Sequence, residues 1–248
     1  MHKLIVVFSL LVLIACNEPP KPVIYMAGDS TMADKPLEGN PERGWGQLLP
    51  SLMDTSSICI ENHAKNGRST RSFIYEGRWD SLIGKVRPND YVVIQFGHND
   101  DVVTKTGRYT LPGEFRYNLV KFVRDVREKG ASPILCTPIV RRKFNESGQL
   151  EETHGVYPDV VREVASAMNV PLADLHERSK VLVTEQGDDA SKALYLHIPP
   201  GQYPTCPNGK ADDTHFSETG ARTWAGIFLE ELKKIHHPLT AYTKRNEP

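Results

Sequence analysis

The sequence predicts a three-layer α/β/α sandwich built on a central parallel sheet, and three observations carry that expectation. Short apolar runs recur along the chain without polar alternation, which is how strands read when both of their faces are covered. Segments with helical apolar spacing lie between them. Strand and helix therefore alternate, the pattern of parallel strands joined by helical crossovers. The bulk numbers agree: 248 residues, 39% hydrophobic and 25% charged. Such a chain is long enough to bury a full core, and its composition excludes a disordered acidic or basic polymer. Lys+Arg number 30 against 31 Asp+Glu, a net charge of −1. That balance gives no bulk attraction for nucleic acid, and no nucleic-acid partner is expected.

The chain opens MHKLIVVFSLLVLIACNEPP. Lys3 supplies a positive charge, and Leu4 to Ile14 is an apolar run broken only by Ser9. A membrane-spanning helix needs about 20 apolar residues, so this run reads as the core of an export signal. It ends Leu13-Ile14-Ala15-Cys16, which resembles a bacterial lipobox. The resemblance implies that Cys16 becomes the lipid-bearing N-terminus. The expected division is a lipoprotein signal peptide over 1–15, a proline-containing lipid-anchored tether over 16–22, and a single domain over 23–248. Export to the bacterial cell envelope follows, at the outer membrane or in the periplasm, with membrane contact only through the lipid.

Val23 to Ala27, stopped by Gly28, reads as the first strand. Ile58 to Asn62 is the second, and Tyr91 to Phe96, stopped by Gly97, is the third. Pro133 to Thr137 is the fourth, and Val170 to Asp174 reads as a fifth. Pro112 opens a helix with Phe115, Leu119, Phe122, Val123 and Val126 on one face, ended by Gly130. Pro158 opens another, with Val161, Val164, Ala165 and Met168. Ser217 caps a last helix carrying Ala221, Trp224, Ala225, Phe228, Leu232 and Ile235. These stripes read as core packing. The stretch from Lys192 to Lys210 reads as a rigid loop rich in proline and glycine. Cys59 and Cys136 sit in strand-like runs and read as small buried hydrophobes, and Cys206 lies in the loop. Three cysteines cannot all pair, and their spacing suits no zinc site.

In a parallel sheet, ligands bind beyond the carboxyl ends of the strands. The first strand is followed by Gly28-Asp29-Ser30-Thr31-Met32, the second by His63 to Ser69, and the third by Gly97-His98-Asn99-Asp100. Asp212-Asp213-Thr214-His215-Phe216 stands just before the last helix. Ester hydrolysis by a serine needs a hydroxyl, a base, a group that orients the base, and donors for the oxyanion. Ser30 supplies the hydroxyl on a tight strand-to-helix turn. His215 is the candidate base. Asp212 stands three residues before it, so one loop or helical turn can hold carboxylate and imidazole together. Gly67 can offer an unobstructed backbone N–H, Asn99 its side-chain amide, and Ser30 its own N–H. No metal or organic cofactor is required by this set. No Gly-x-Ser-x-Gly elbow and no His-Glu-x-x-His occurs, which disfavours the usual α/β-hydrolase and zinc-hydrolase designs.

In order and content these four segments resemble the blocks of the GDSL, or SGNH, hydrolase superfamily, with Ser30, Gly67, Asn99 and His215 in the named roles. Gly28 to Asp34, Gly44-Trp45-Gly46, Gln95 to Asp100 and the late Asp-Asp-Thr-His-Phe look like its rhamnogalacturonan acetylesterase branch. The superfamily's leucine after the serine is absent; Thr31-Met32 stands there. The resemblance spans the chain from about Val23 to the last helix. It implies an SGNH-hydrolase, flavodoxin-like fold and a monomer. It also implies a serine carbohydrate esterase that removes O-acetyl groups from pectin-type plant polysaccharide or oligosaccharide. Two other readings stay open: a GDSL esterase or lipase on another acyl substrate such as acetyl-xylan, and a non-catalytic glycan-binding lipoprotein. Trp45 and Arg68 are the candidate sugar contacts, since aromatic rings stack on sugars and arginine binds uronate carboxylates. Arg71, Trp79 and Tyr117 lie in segments that could rim the site. His63, His98, His154, His176 and His197 each stand alone and read as surface or locally bonded.

Overall fold

The computed structural model describes residues 20–244. The expected export signal, Cys16 and the first part of the expected tether lie outside those residues. In chain order the elements are β1 (Val23–Gly28), α1 (Trp45–Leu48), β2 (Cys59–Asn62), α2 (Thr70–Tyr75), α3 (Arg78–Ile83), β3 (Tyr91–Gln95) and α4 (Pro112–Glu128). There follow β4 (Ser132–Cys136), α5 (Tyr157–Ala167), β5 (Leu172–Ala173), α6 (Leu175–Ala190), β6 (Tyr195–Ile198), β7 (Lys210–Phe216) and α7 (Glu218–Lys234). Five strands form one sheet in the order β2-β1-β3-β4-β5, every pairing parallel.

The inner strands β1, β3 and β4 are largely apolar because both of their faces are covered, whereas the edge strand β2 is partly exposed. Along β1 the side chains alternate between two cores: Ile24 and Met26 join the cluster containing Trp45, Phe216, Trp224 and Phe228, and Tyr25 and Ala27 join the cluster with Phe73, Trp79, Phe115 and Phe122. The first cluster lies under α7 and α1. The second lies under α2 to α5. Each layer thus removes one face of the sheet from water, at roughly 25 cal/mol per Å² of apolar surface. Pro112 stands at the start of α4, where a missing N–H costs nothing. The Ser217 hydroxyl accepts the Gly220 N–H at 3.1 Å and caps α7. Among the described residues no helix is long and apolar enough to cross a membrane.

Three features differ from the sequence expectation. The stretch after Lys192 is not all loop: β6 pairs antiparallel with β7 as a separate two-stranded ribbon. The fifth strand shrinks to two residues, because only Leu172 and Ala173 find a partner, on β4. Cys59 is exposed at the start of the edge strand β2, whereas Cys136 is buried; Cys59, Cys136 and Cys206 are all free.

The chain runs from β1 to β2 on one side, then returns to place β3 on the other side of β1. That reversal leaves a crevice beyond the carboxyl ends of β1 and β3, where neighbouring connections diverge.

Candidate active site

Gly28 ends β1 at that crevice. A Cβ there would come within 2.8 Å of Met32 Sδ and 2.9 Å of the Gln95 carbonyl, so only glycine lets the turn close against β3. Asp29 then fixes the turn. Its Oδ1 accepts the Thr31 N–H at 2.9 Å and the Thr31 hydroxyl at 2.7 Å, while its carbonyl accepts the Ala33 N–H at 3.0 Å. Ser30, only 9% exposed, is held at the head of this turn.

The partner groups arrive from the other end of the chain. β7 leaves its pairing with β6 between Leu196↔Asp212 and Tyr195↔Phe216, so Asp213, Thr214 and His215 bulge out of the ribbon. Asp212 organises the bulge: its Oδ1 accepts the Thr214 and His215 N–H groups, both at 2.9 Å. Its Oδ2 meets His215 Nδ1 at 2.8 Å, and His215 Nε2 lies 3.0 Å from Ser30 Oγ. A carboxylate only accepts, so Nδ1 carries the proton and Nε2 is left to accept from the serine hydroxyl. Asp212 is a strand residue, not part of a helical turn. Desolvation works to raise its pKa, but the His215 imidazole and backbone N–H groups outweigh it and hold the carboxyl well below the usual range. Lys210 Nζ, 3.1 Å from Oδ2, adds a positive neighbour. Asp213 is turned away toward Arg142 and His197, each at 2.8 Å.

The donors stand opposite. Neither Ser30 nor Gly67 has a backbone N–H bonded to an acceptor among the described residues. Gly67 adopts φ +76°, a left-handed conformation that glycine tolerates. The Asn99 amide is oriented without ambiguity: Oδ1 accepts from Arg108 Nη1 at 3.2 Å, and Nδ2 donates to the Arg68 carbonyl at 3.1 Å. One amide hydrogen remains for a ligand. Ser30, Gly67, Asn99 and His215 all line one cleft of about 530 Å³, together with Glu42, Asn66, His98, Val102, Arg108, Arg141 and Thr214.

Two candidate sugar contacts do not reach this cleft. Trp45 is fully buried: its indole N–H donates to Gln95 Oε1 at 2.8 Å and its ring packs on Phe228, so it is a core residue. The Arg68 guanidinium is turned onto Glu76, with Nε 3.0 Å from Oε2. Trp79 is likewise buried, its N–H on Asp125. Arg71 faces Glu114 at 3.6 Å, and Tyr117 stands exposed on α4, outside the cleft lining.

The cleft also contains residues that sequence reasoning missed. Arg141 lies beyond β4, and the strand-end rule, extended to that strand, leads to it. Arg108 sits in an exposed polar stretch with no periodic signal. His98, His154 and His176 are not isolated surface residues; they are buried and stacked edge to face, with ring centroids 4.5 Å and 6.0 Å apart. His98 Nδ1 faces Asp29 Oδ2 at 3.5 Å, which ties the turn before Ser30 to the loop before Asn99.

Asp100 is fully buried and accepts the Thr70 N–H at 2.9 Å and its hydroxyl at 2.6 Å. Burial, with a smaller push from the Asp29 charge, outweighs those bonds and raises its carboxyl from 3.8 to about 7. The folded value exceeds the unfolded one, so this group stabilises the fold fully below about pH 4, and the contribution is lost as pH rises through about 7. Asp100→Asn removes that dependence. Its melting temperature is expected to fall less than the wild type's between about pH 5 and 8, by about 5–10 °C. Parallel melting curves for the two proteins across that range contradict the raised carboxyl.

A family model described as GDSL-like Lipase/Acylhydrolase matches residues 26–223. The chain is 40% identical over 220 residues to a rhamnogalacturonan acetylesterase of Bacillus subtilis strain 168, covering 88% of this chain and 93% of that one. The crystal structure of the Bacillus subtilis protein YxiM superposes with a TM-score of 0.74 at 27% identity, covering 88% of this chain and 57% of that one. An acetylxylan esterase from Geobacillus stearothermophilus shares the fold, with a TM-score of 0.61 at 21% identity over 85% of this chain and 94% of that one.

Proposed function

Because the chain belongs to the GDSL-like lipase/acylhydrolase family, we propose that it is a serine esterase removing O-acetyl groups from pectin-type polysaccharide, with Ser30 as nucleophile. It is a carboxylic ester hydrolase. The observation that carries the catalytic assignment is the unbroken line Asp212–His215–Ser30, with contacts of 2.8 Å and 3.0 Å at the floor of an open cleft. The substrate assignment is supported by the 40% identity to a rhamnogalacturonan acetylesterase over most of both chains.

The reaction follows from the geometry. His215 Nε2 takes the Ser30 proton as Oγ attacks the acetyl carbonyl. Asp212 holds the tautomer and stabilises the imidazolium. The negative charge that develops on the carbonyl oxygen meets the Ser30 and Gly67 N–H groups and the Asn99 amide, each worth on the order of 10²- to 10³-fold in rate. His215 then protonates the leaving sugar oxygen. A water, deprotonated by the same imidazole, attacks the acetyl-enzyme and releases acetate. All of these groups come from one chain, which supports action as a monomer.

The lipobox-like end of the apolar N-terminal run supports export and lipid attachment at Cys16. β1 begins at the amino-terminal end of the parallel strands, opposite the cleft. An anchor a few residues before Val23 therefore leaves the site facing away from the membrane, toward polymer.

Acetate release from a panel of acetylated pectins, xylans and mannans tests the substrate assignment. The expected order places acetylated rhamnogalacturonan first. Equal or faster release from acetylated xylan would move the enzyme to the acetylxylan class. Glycan binding without acetate release from any substrate would make it a binding protein.

A further inference from the structure

We propose that Arg108 is the residue by which the cleft selects an anionic sugar, binding the carboxylate of a uronate at or beside the acetylated unit. The proposal rests on the acetylesterase reading above and adds the residue that sets its preference for charged over neutral polymer.

The argument begins with charge pairing. Arg141 is engaged by Asp101, with Nη1 2.9 Å from Oδ2 and Nη2 3.0 Å from Oδ1, and it also donates to the His98 carbonyl. Glu42, the carboxylate of the lining, is neutralised by Lys35 at 2.7 Å. Nearby, Arg68 faces Glu76 and Arg71 faces Glu114. Arg108 has no such partner: among the described residues no carboxylate lies within 4.0 Å of its guanidinium, whose single side-chain bond is the one to Asn99 Oδ1. The cleft therefore carries one uncompensated positive charge, and it lies on the wall where the oxyanion donors stand.

Position and chemistry then converge. The guanidinium lies over Gly67, with Cζ 3.4 Å from the point a Cβ would occupy there. It thus sits beside both Gly67 and Asn99, next to the carbonyl that is to be attacked. A guanidinium has five N–H groups in a planar fork. One is used on Asn99, and the outer edge is left to receive a carboxylate through two parallel bonds. A neutral xylan offers only hydroxyls there. The bond to Asn99 also makes Arg108 a positioning residue for the amide, so any substitution slows all substrates to some degree. The discriminating readout is consequently a ratio, in which that shared loss cancels.

The experiment compares kcat/KM for an acetylated rhamnogalacturonan oligosaccharide and for its methyl-esterified, uncharged form, with acetylated xylo-oligosaccharide as a third substrate. Wild type is expected to favour the free uronate by about 10- to 100-fold, chiefly through KM, as charge-assisted bonds contribute. The preference should shrink as salt is added. Arg108→Gln brings the ratio close to one, and Arg108→Lys retains part of it as a point charge without the fork. A wild type indifferent to methyl esterification overturns the proposal without reference to any variant. So does an Arg108→Gln enzyme that loses equally on charged and uncharged substrates. Failure of the wild type to release acetate from all three substrates overturns the acetylesterase reading itself, and this one with it.

Discussion

Ser30→Ala lowers acetate release by about 10⁶-fold, to the residual rate that binding and the oxyanion donors sustain without a nucleophile. The substitution deletes one partly shielded oxygen whose recorded partner is His215 Nε2. The fold loses about 1 kcal/mol or less, because the turn is held by Asp29 and Thr31 and not by the serine side chain. Turnover and melting temperature, measured on the same preparation, separate the two effects. Loss of activity with intact melting is the expected result. Wild-type-like turnover would remove Ser30 from the reaction.

His215→Ala is expected to cost about as much as the loss of the serine, on the order of 10⁶-fold, because among the described residues no second base is hydrogen-bonded to Ser30 Oγ. Asp212→Asn is expected to cost less, about 10⁴-fold. An asparagine Oδ1 can still accept the Thr214 and His215 N–H groups, so the bulge in β7 survives. Its Nδ2, however, would face His215 Nδ1 and Lys210, where a donor cannot replace an acceptor. The imidazole then places its proton on Nε2 and presents a donor to the serine, the wrong tautomer for a base. Asp213 cannot take over, since Arg142 and His197 hold it on the far side of the strand. Equal losses in the two variants would give Asp212 a larger share than orientation. Single-turnover rates on one acetyl ester read the comparison directly.

What was legible in the sequence followed from burial on two sides. β1, β3 and β4 are covered by helices on both faces, so their residues are largely apolar, and each run is stopped by a glycine or proline. α4, α5 and α7 each bury one stripe and announce it by spacing, with Pro112, Pro158 and Ser217 marking their starts. The β6–β7 ribbon was not legible for the opposite reason. β7 reads Lys-Ala-Asp-Asp-Thr-His-Phe, a strand whose side chains serve the site instead of a core, so neither composition nor period betrays it. α6 was missed because its few buried apolar residues, Leu175 and Val183 among them, do not form a continuous stripe, and Gly187 breaks its helical geometry.

The candidate site divides along the same line. Ser30 and Asn99 stand just beyond strand ends and were placed by topology, and Asp212 with His215 by their spacing. Trp45 misled because aromatic rings stack on sugars, while its indole finds a buried acceptor in Gln95. Arg108 left no trace because an unpaired guanidinium on a loop has no period and no local partner; only the fold brings it over Gly67. The buried histidines were invisible for a similar reason, being far apart in sequence and brought together by the connections after β3 and β4 and the start of α6.

The most direct measurement is active-site labelling with a serine-directed organophosphonate, followed by peptide mapping and an esterase assay on the same sample. One equivalent on the peptide containing Ser30, with acetate release lost in step and labelling abolished in His215→Ala, is the predicted outcome. Label accumulating on another residue, or full activity surviving complete modification of Ser30, would contradict a nucleophile at that position.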